Sequence, residues 1–395
     1  LLLAEITVAL SAGLATNPRR VVYVIASMIT GGTQTHLLQV LRFLDRSRFA
    51  PSLFVLRDAG DLLDQGRGLD LPVRTFGMGG SLRDPRDIVG LARMVAALRE
   101  LRPALVHGYL LRGNFYGAVA GRLAAVPAVV TSKRGLHRPA GAAERFAVRV
   151  SNSLSHAVTG NSPQVLEFTR QVEGRIAAPL VMIPSGIDAD RFDPRAVPSE
   201  AGARLRAELG IGTAPLLGTA ITFRLKKGFP LLFAAMAELL TSVPDAHLLI
   251  AGESEMSAEP AALASRLGIA GRIHLLGRRS DMPEVLAALD VFVLPSQSEG
   301  MSNALLEAMA MQLAVVATGV GGNLEVVEDR RSGFLVEPDD AAAMAARVAA
   351  LLGDRSLRAK VGAAARARVL AAYSAPAMVR QIEDLYARLL DGKEA

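Results

Sequence analysis

The sequence has no cysteine and no tryptophan, and among its 44 basic residues lysine occurs only five times. Without cysteine there is no disulfide framework and no thiolate metal site, which is compatible with a reducing compartment. Its six histidines show neither H-x-x-H nor H-E-x-x-H spacing, so a zinc site is not expected. No continuously apolar run approaches the roughly 18–20 residues that span a bilayer; the longest uncharged stretch, 21–41, is broken by Gly31, Gly32, Thr33, Gln34, Thr35 and His36. The opening LLLAEITVALSAGLATNPRR is apolar for too short a stretch, lacks a basic start and carries Glu5, so it reads poorly as a secretory signal. It begins without Met, which suggests an incomplete or over-extended reading frame, and residues 1–19 are expected to be peripheral to the fold. No G-x-G-x-x-G occurs, so a dinucleotide fingerprint is absent.

What is present is apolar residue in quantity, 51% of a 395-residue chain, enough for two domains with their own cores. Charge is unevenly spread. Residues 1–190 hold 22 Lys and Arg against 14 Asp and Glu, a balance of +8; residues 191–395 hold 22 against 24, a balance of −2, giving the total of +6. A basic first half points to an anionic partner, with a plain solvated basic face as the alternative.

Short β-rich runs alternate with helical patterns. The first set is VVYVIAS (21–27), PSLFVLR (51–57), PVRTFGM (72–78), ALVHGYL (104–110), PAVVTSK (127–133), HAVTGNS (156–162) and LVMIPSG (180–186). The second is PLLGTAITF (215–223), AHLLIAGES (246–254), RIHLLGR (272–278), VFVLPS (291–296), AVVATGV (314–320) and GFLVEP (333–338). Continuously apolar strands separated by helices indicate parallel sheets covered on both faces. Between the sets, residues 184–200 are rich in Pro, Asp and Ser and read as a linker. The expected architecture is α/β, two doubly wound Rossmann-like domains facing across a cleft. The first covers residues 1–190 and the second 191–373, with a helix at 374–395 crossing back to the first. Ligands in such sheets sit beyond the carboxyl ends of the strands.

Four loops at those ends carry candidate chemistry. Gly31 and Gly32 follow the first strand and let the backbone approach a ligand, while the helix after them offers free N–H groups to an anion. Arg224, Lys226 and Lys227 close the first strand of the second domain, two of the five lysines in one place, and suit phosphate. SEGMSNALLEAMA (298–310) sets Glu299 in a strand-to-helix loop and Glu307 about one turn into the helix, with Ser302 or Asn303 as N-cap. A carboxylate there can accept from both hydroxyls of a diol; alternatively Glu299 caps the helix and Glu307 pairs with a surface base. Gly319, Gly321 and Gly322 make a second glycine-rich turn packed beside the same pocket.

In order and spacing these motifs, from about residue 20 to 395, resemble the family-four retaining glycosyltransferases, of GT-B fold. SEGMSNALLEAMAMQLAVVATGVGGNLEVVEDRRSGFLVEPDD is similar to that family's E-x7-E motif with its following glycine loop and strand; GGTQTHLLQVLRFLD resembles its first glycine loop and IPSGIDADRF its interdomain segment. The resemblance implies an enzyme that moves a sugar from a nucleotide diphosphate sugar to an acceptor hydroxyl with retention, in cell-envelope or lipid-linked glycan synthesis. It implies that Glu307 holds ribose hydroxyls and that Glu299 contacts the transferred sugar. Gly300, Met301, Ser302 and Asn303 would meet sugar hydroxyls and the distal phosphate through their backbone. Arg224 with Lys226 or Lys227 would neutralise the diphosphate, Gly31 and Gly32 would approach it from the other domain, and no cofactor or essential metal would be needed. The Arg-to-Lys stretch is shorter than usual, Ser302 stands where many members have proline, and VHGYLL replaces the usual H-x-H. His107 or Tyr109 would then meet the donor sugar, with a core or strand-end histidine as the alternative for His107 and the contact then falling to the Tyr109 hydroxyl. The expected partners are a nucleotide sugar, a glycan or lipid-linked acceptor and an anionic membrane surface, not nucleic acid; the expected place is the cytoplasm, peripheral on the membrane. The helix in 80–103, with an apolar stripe of Ile88, Leu91, Val95 and Leu98 under Arg83, Arg86, Arg93, Arg99 and Arg102, is the expected membrane face. A nucleotide-sugar epimerase of the same architecture and a non-catalytic binding module are the alternatives.

Overall fold

The computed structural model describes residues 17–81, 84–174, 176–252 and 255–392. Two parallel sheets organise it. The first contains β1 (Arg19–Ile25), β2 (Phe49–Val55), β3 (Val73–Thr75), β4 (Leu105–Tyr109), β5 (Ala128–Lys133), β6 (Ala157–Gly160) and β7 (Leu180–Met182), in the order β3-β2-β1-β4-β5-β6-β7. The second contains β8 (Leu216–Ala220), β9 (His247–Ala251), β10 (Ile273–Gly277), β11 (Val291–Leu294), β12 (Ala314–Thr318) and β13 (Phe334–Val336), in the order β10-β9-β8-β11-β12-β13. Every strand run read from the sequence is a strand. The reason is visible in β1: Val21, Tyr23 and Ile25 enter one core while Val22 and Val24 enter the core on the opposite face. A strand buried on both faces needs apolar residues at every position, not every second one.

Each sheet reverses its winding once, between β1 and β4 in the first and between β8 and β11 in the second. At these switch points adjacent crossovers leave to opposite faces and open a crevice at the strands' carboxyl ends. The loops after β1, β4, β8 and β11 therefore line the ligand crevices, and they are the loops that carry Gly31–Gly32, Leu110, Arg224–Lys227 and Glu299.

The chain passes between domains twice, and the two passages pair. Ile187 N–H donates to Tyr373 O and Ala375 N–H to Ile187 O, each at 2.8 Å. Helix Ala375–Leu390 then packs on the first sheet, where Met378, Val379, Ile382, Leu385 and Tyr386 are buried with β1, β2 and β4. Asp391 pairs with Arg19 at the start of β1. Of the peripheral opening, residues 1–16 lie outside the described residues; Arg19 already belongs to β1.

Helix Arg86–Leu101 turns Leu91, Val95 and Leu98 of the expected apolar stripe to the core but leaves Ile88 outside. Its inner face is Asp87, Gly90, Met94, Val95, Ala97 and Leu98, whereas Ile88 is 75% exposed and Val89 54%. Asp87 takes the inward place because it accepts from Gly79 N–H at 2.8 Å and from Arg112 at 2.6 Å, and also from the Tyr116 hydroxyl. A fully engaged carboxylate is tolerated inside where a bare one is not. Arg86, Arg93, Arg99 and Arg102 are exposed; Arg83 lies outside the described residues. Among the described residues no helix is long and apolar enough to cross a membrane.

Candidate active site

The loop after β11 is built in layers. Ser302 N-caps helix Asn303–Ala310, its hydroxyl accepting from Leu305 N–H at 3.3 Å. Ahead of it Glu299 is 8% exposed. Its Oε1 accepts from Lys227 Nζ at 2.7 Å and from Ser296 Oγ at 2.7 Å. The Ser296 carbonyl in turn accepts from Thr318 Oγ1, and the Thr318 carbonyl from Asn323 Nδ2 at 3.0 Å. The carboxylate is thus anchored at one oxygen to two neighbouring strand ends.

Lys227 reaches it because the loop after β8 is drawn against β11. Leu225–Lys227 form one 3₁₀ turn, closed by Gly228 at φ +75°. A Cβ on Gly228 would stand 1.8 Å from the Pro295 carbonyl oxygen, so only glycine allows this approach. Gln297 N–H donates to Lys226 O at 3.0 Å. Of the two lysines left open by the sequence, Lys227 enters the site and Lys226 is exposed with Arg224. Arg224 has no ion-pair partner among the described residues.

The second glycine turn supports the first loop from behind. Gly321 has φ +55°, and a Cβ there would lie 1.8 Å from Glu299 O; one on Gly322 would lie 2.2 Å from Gly300 O. Gly322 N–H donates to Gly300 O at 2.7 Å. Both loops belong to one structure.

Glu307 is the opposite of Glu299. It is half-buried, yet among the described residues its carboxyl has no hydrogen-bond or ion-pair partner. The protein packed around it pushes its pKa up to about 7, against the lowering influence of Arg191. Burial without a partner favours the neutral acid, and what is missing is a donor to the carboxylate. A ligand supplying two hydroxyls restores it. Below about pH 7 the acid form dominates and must lose its proton to accept both bonds, so affinity for a ribose-bearing ligand is expected to rise as pH increases from about 5.5 towards 7.5 and then level off. Calorimetry with a nucleoside diphosphate in buffers of different ionisation enthalpy reads both the affinity and the proton released. Glu307→Gln flattens this component; what pH dependence remains is that of the ligand's own phosphate. Glu307→Ala is expected to cost about 1.5–3 kcal/mol of nucleotide binding. Unchanged affinity in both variants removes Glu307 from the ligand site.

On the first domain, Gly31 caps helix Gly32–Phe43 with no side-chain hydrogen bond, leaving its N–H groups free. Asn303 Nδ2 crosses to donate to Gly32 O at 3.0 Å, so the glycine loop and the E-x7-E helix face each other. Arg42, in the last turn of the same helix, meets Asp188 of the interdomain segment at 2.6 Å.

His107 departs from the expectation of a sugar contact. It is 1% exposed, with Nδ1 2.6 Å from Tyr386 Oη and Nε2 2.7 Å from Ser132 Oγ. Both ring nitrogens are used by the protein, and burial lowers the pKa to about 3, with Arg134 adding to the shift. It is a neutral core histidine tying helix Ala375–Leu390 to β5. Tyr109 is also fully buried, but among the described residues its hydroxyl has no hydrogen-bond partner. The next residue, Leu110, has φ +62°, a conformation costly for a branched side chain, where the chain turns from β4 into helix Leu110–Leu123.

Sequence reasoning missed Ser296, Thr318 and Asn323, which hold Glu299, and Arg134 and Asn161, which face Gly300 across the cleft. A Cβ on Gly300 would lie 2.9 Å from Asn161 Oδ1 and 3.0 Å from Arg134 O. A serine and an asparagine beside glycine loops carry no signal apart from the turn itself.

Comparison with known proteins agrees with this geometry. The profile of Glycosyltransferase Family 4 matches residues 30–191, and that of Glycosyl transferases group 1 matches residues 215–354. The Escherichia coli UDP-Gal:alpha-D-GlcNAc-diphosphoundecaprenol alpha-1,3-galactosyltransferase is 25% identical over 380 residues, 92% of this chain and 96% of that protein. A GDP-mannose-dependent alpha-(1-6)-phosphatidylinositol monomannoside mannosyltransferase from Mycolicibacterium smegmatis is 33% identical over 225 residues, 52% of this chain and 58% of that protein. Among solved structures, Anabaena Alr3699/HepE in complex with UDP and glucose superposes with a TM-score of 0.82 at 21% identity, covering 93% of this chain and 99% of that one.

Proposed function

This chain belongs to the family-four glycosyltransferases, of GT-B fold, and on that premise we propose that it transfers a sugar with retention to a lipid-linked saccharide at the cytoplasmic face of a membrane. The observation that carries the donor side is the contrast between the two glutamates: Glu307 unpartnered and awaiting a diol, Glu299 fixed by Lys227 and Ser296. Glu307 takes the ribose of a nucleoside-diphosphate sugar. Glu299 uses its remaining oxygen on a hydroxyl of the transferred sugar. Arg224 and Lys227 neutralise the diphosphate as the bond from the anomeric carbon to its oxygen breaks. The acceptor oxygen bonds to the same face of that carbon, and its proton passes to the departing phosphate oxygen, so no protein nucleophile is required. A thermal-shift panel of nucleoside diphosphates and their sugars tests the donor reading, because a ligand of the folded state raises the melting temperature by mass action.

The cations for the diphosphate are side chains, so transfer is expected to persist in excess EDTA. Loss of transfer that magnesium or manganese restores overturns the metal-free assignment.

The acceptor reading draws on two relatives whose acceptors are lipid-linked and on the exposed surface of the first domain. Ile88 and Val89 stand outward on helix Arg86–Leu101 beside Arg86 and Arg93, and Phe146, 62% exposed, lies between Arg145 and Arg149 on helix Ala142–Leu154. Each basic group near an anionic surface contributes about 1 kcal/mol, screened over about 8–10 Å at physiological salt. Flotation is expected to recover the protein with anionic vesicles and not neutral ones, reversibly with salt. Absence from anionic vesicles at low salt would make a soluble acceptor the better reading.

A further inference from the structure

Arg134 follows β5 at the cleft. Among the described residues no carboxylate lies within ion-pair distance of it. Its one side-chain hydrogen bond runs from Nη2 to Ser185 Oγ at 2.9 Å, and its Nε is buried without a partner. Neighbouring buried cations are treated differently: Arg112 pairs with Asp87 and Lys133 with Glu173, each at 2.6 Å. A desolvated charge without a counter-charge is unfavourable, and here burial lowers the guanidinium pKa to about 10, which leaves it cationic at neutral pH.

Two further groups beside it are also unsatisfied. The Tyr109 hydroxyl and His36 Nδ1 are buried with no partner, on residues 0% and 2% exposed. Their rings lie 5.8 Å apart, and Tyr109 pairs in register with Ser132, two residues before Arg134; burial lowers the His36 pKa, with Arg134 adding to the shift, and raises that of Tyr109 against the lowering influence of Arg134. The two rings and the guanidinium therefore occupy one wall, in which a guanidinium, a hydroxyl and a neutral imidazole can all offer donors. The backbone of Arg134 meets Gly300 from the first domain, because Arg134 O and Asn161 Oδ1 would flank a Cβ on Gly300 at 3.0 and 2.9 Å. Arg224 and Lys227 approach the Glu299 loop from the second domain.

We propose that Arg134, with the Tyr109 hydroxyl and His36 Nδ1, forms a phosphate subsite on the acceptor side of the reaction centre, receiving the phosphate ester of the acceptor and not the donor's diphosphate. A guanidinium forks onto two oxygens of a phosphate, and the phenol supplies a third bond. The inference rests on the reading of a phosphate-bearing acceptor, but its test needs neither turnover nor the acceptor itself. The enzyme is saturated with whichever of UDP or GDP raises its melting temperature, and inorganic phosphate is then titrated against chloride of equal ionic strength. Phosphate is expected to add a further rise of about 1–3 °C, retained in Arg224→Gln at saturating nucleotide and lost in Arg134→Gln. No rise beyond that with chloride, an equal rise in Arg134→Gln, or a loss of nucleotide affinity in Arg134→Gln as large as in Arg224→Gln overturns the subsite. Should Arg134→Gln not fold, Arg134→Lys keeps the charge without the fork, and its phosphate affinity is expected to fall about tenfold, the equivalent of one lost charged bond; unchanged affinity overturns the proposal. If neither nucleoside diphosphate binds, the donor reading fails separately, and phosphate titration of the free enzyme against Arg134→Gln decides the subsite.

Discussion

Replacing Lys227 by methionine is expected to lower kcat by about two to three orders of magnitude, the range for removing one preorganised charge from a transition state. Two losses combine. The departing diphosphate loses an ammonium, and Glu299, 8% exposed, loses the cation 2.7 Å from its Oε1 and keeps only Ser296. An uncompensated carboxylate at that depth also destabilises the fold. The two losses separate in the double variant. Lys227→Met with Glu299→Gln removes the unpaired charge, so much of the stability is expected to return while turnover stays low. Lys227→Arg keeps a charge but cannot place it at the same point, and an intermediate rate is expected. Single-turnover transfer and thermal denaturation on the parent, Lys227→Met, Glu299→Gln and the double variant give the cycle. Turnover of Lys227→Met within tenfold of the parent, or no recovery of stability in the double variant, breaks the argument that this pair is the electrostatic centre of the site.

Gly321→Ala is expected to reduce turnover about 100-fold, the cost of displacing a reacting group by about 1 Å. The glycine stands at φ +55°, and the added methyl would lie 1.8 Å from the carbonyl oxygen of Glu299 and 3.0 Å from Gln164 Oε1. Neither the Glu299 backbone nor the turn can stay where it is. Nucleotide affinity is expected to change much less, because Glu307 is carried by helix Asn303–Ala310, beyond the Ser302 cap. Gly319→Ala is the control in the same turn. Its methyl would meet nothing closer than 3.5 Å, so near-parental activity is expected. Equal effects of the two substitutions on turnover would mean that loss of glycine flexibility, and not the clash with Glu299, governs the loop.

The structure also changes what an activated residue means in this site. Glu307 combines a raised pKa with an open valence, and a ligand can satisfy both. His107 has its pKa moved as far, yet both its nitrogens are already bonded. A shifted pKa marks burial in both cases. Only the missing partner distinguishes a group that waits for a ligand from one that braces the core.

By itself the sequence determined the two sheets, the glycine turns and the spacing of Glu299 and Glu307, because each depends on residues adjacent along the chain. A strand covered on both faces must be apolar throughout, as in 21–27 and 291–296, and a helix cap must stand where Ser302 stands. Tertiary structure alone decided which polar groups are engaged. Lys226 and Lys227 are indistinguishable until Gly228 turns the loop against Pro295 and aims one of them at Glu299. Ile88 fits an inward stripe until Arg112 and Tyr116 claim Asp87 for the inner face. His107 looks free until Tyr386 returns from 279 residues away to bond its Nδ1. Arg134 resembles any surface arginine until the fold brings no carboxylate near it among the described residues. Periodicity and turn chemistry are local and legible, whereas the state of a charge is set by whatever distant side chain the fold brings, or fails to bring, within about 3 Å.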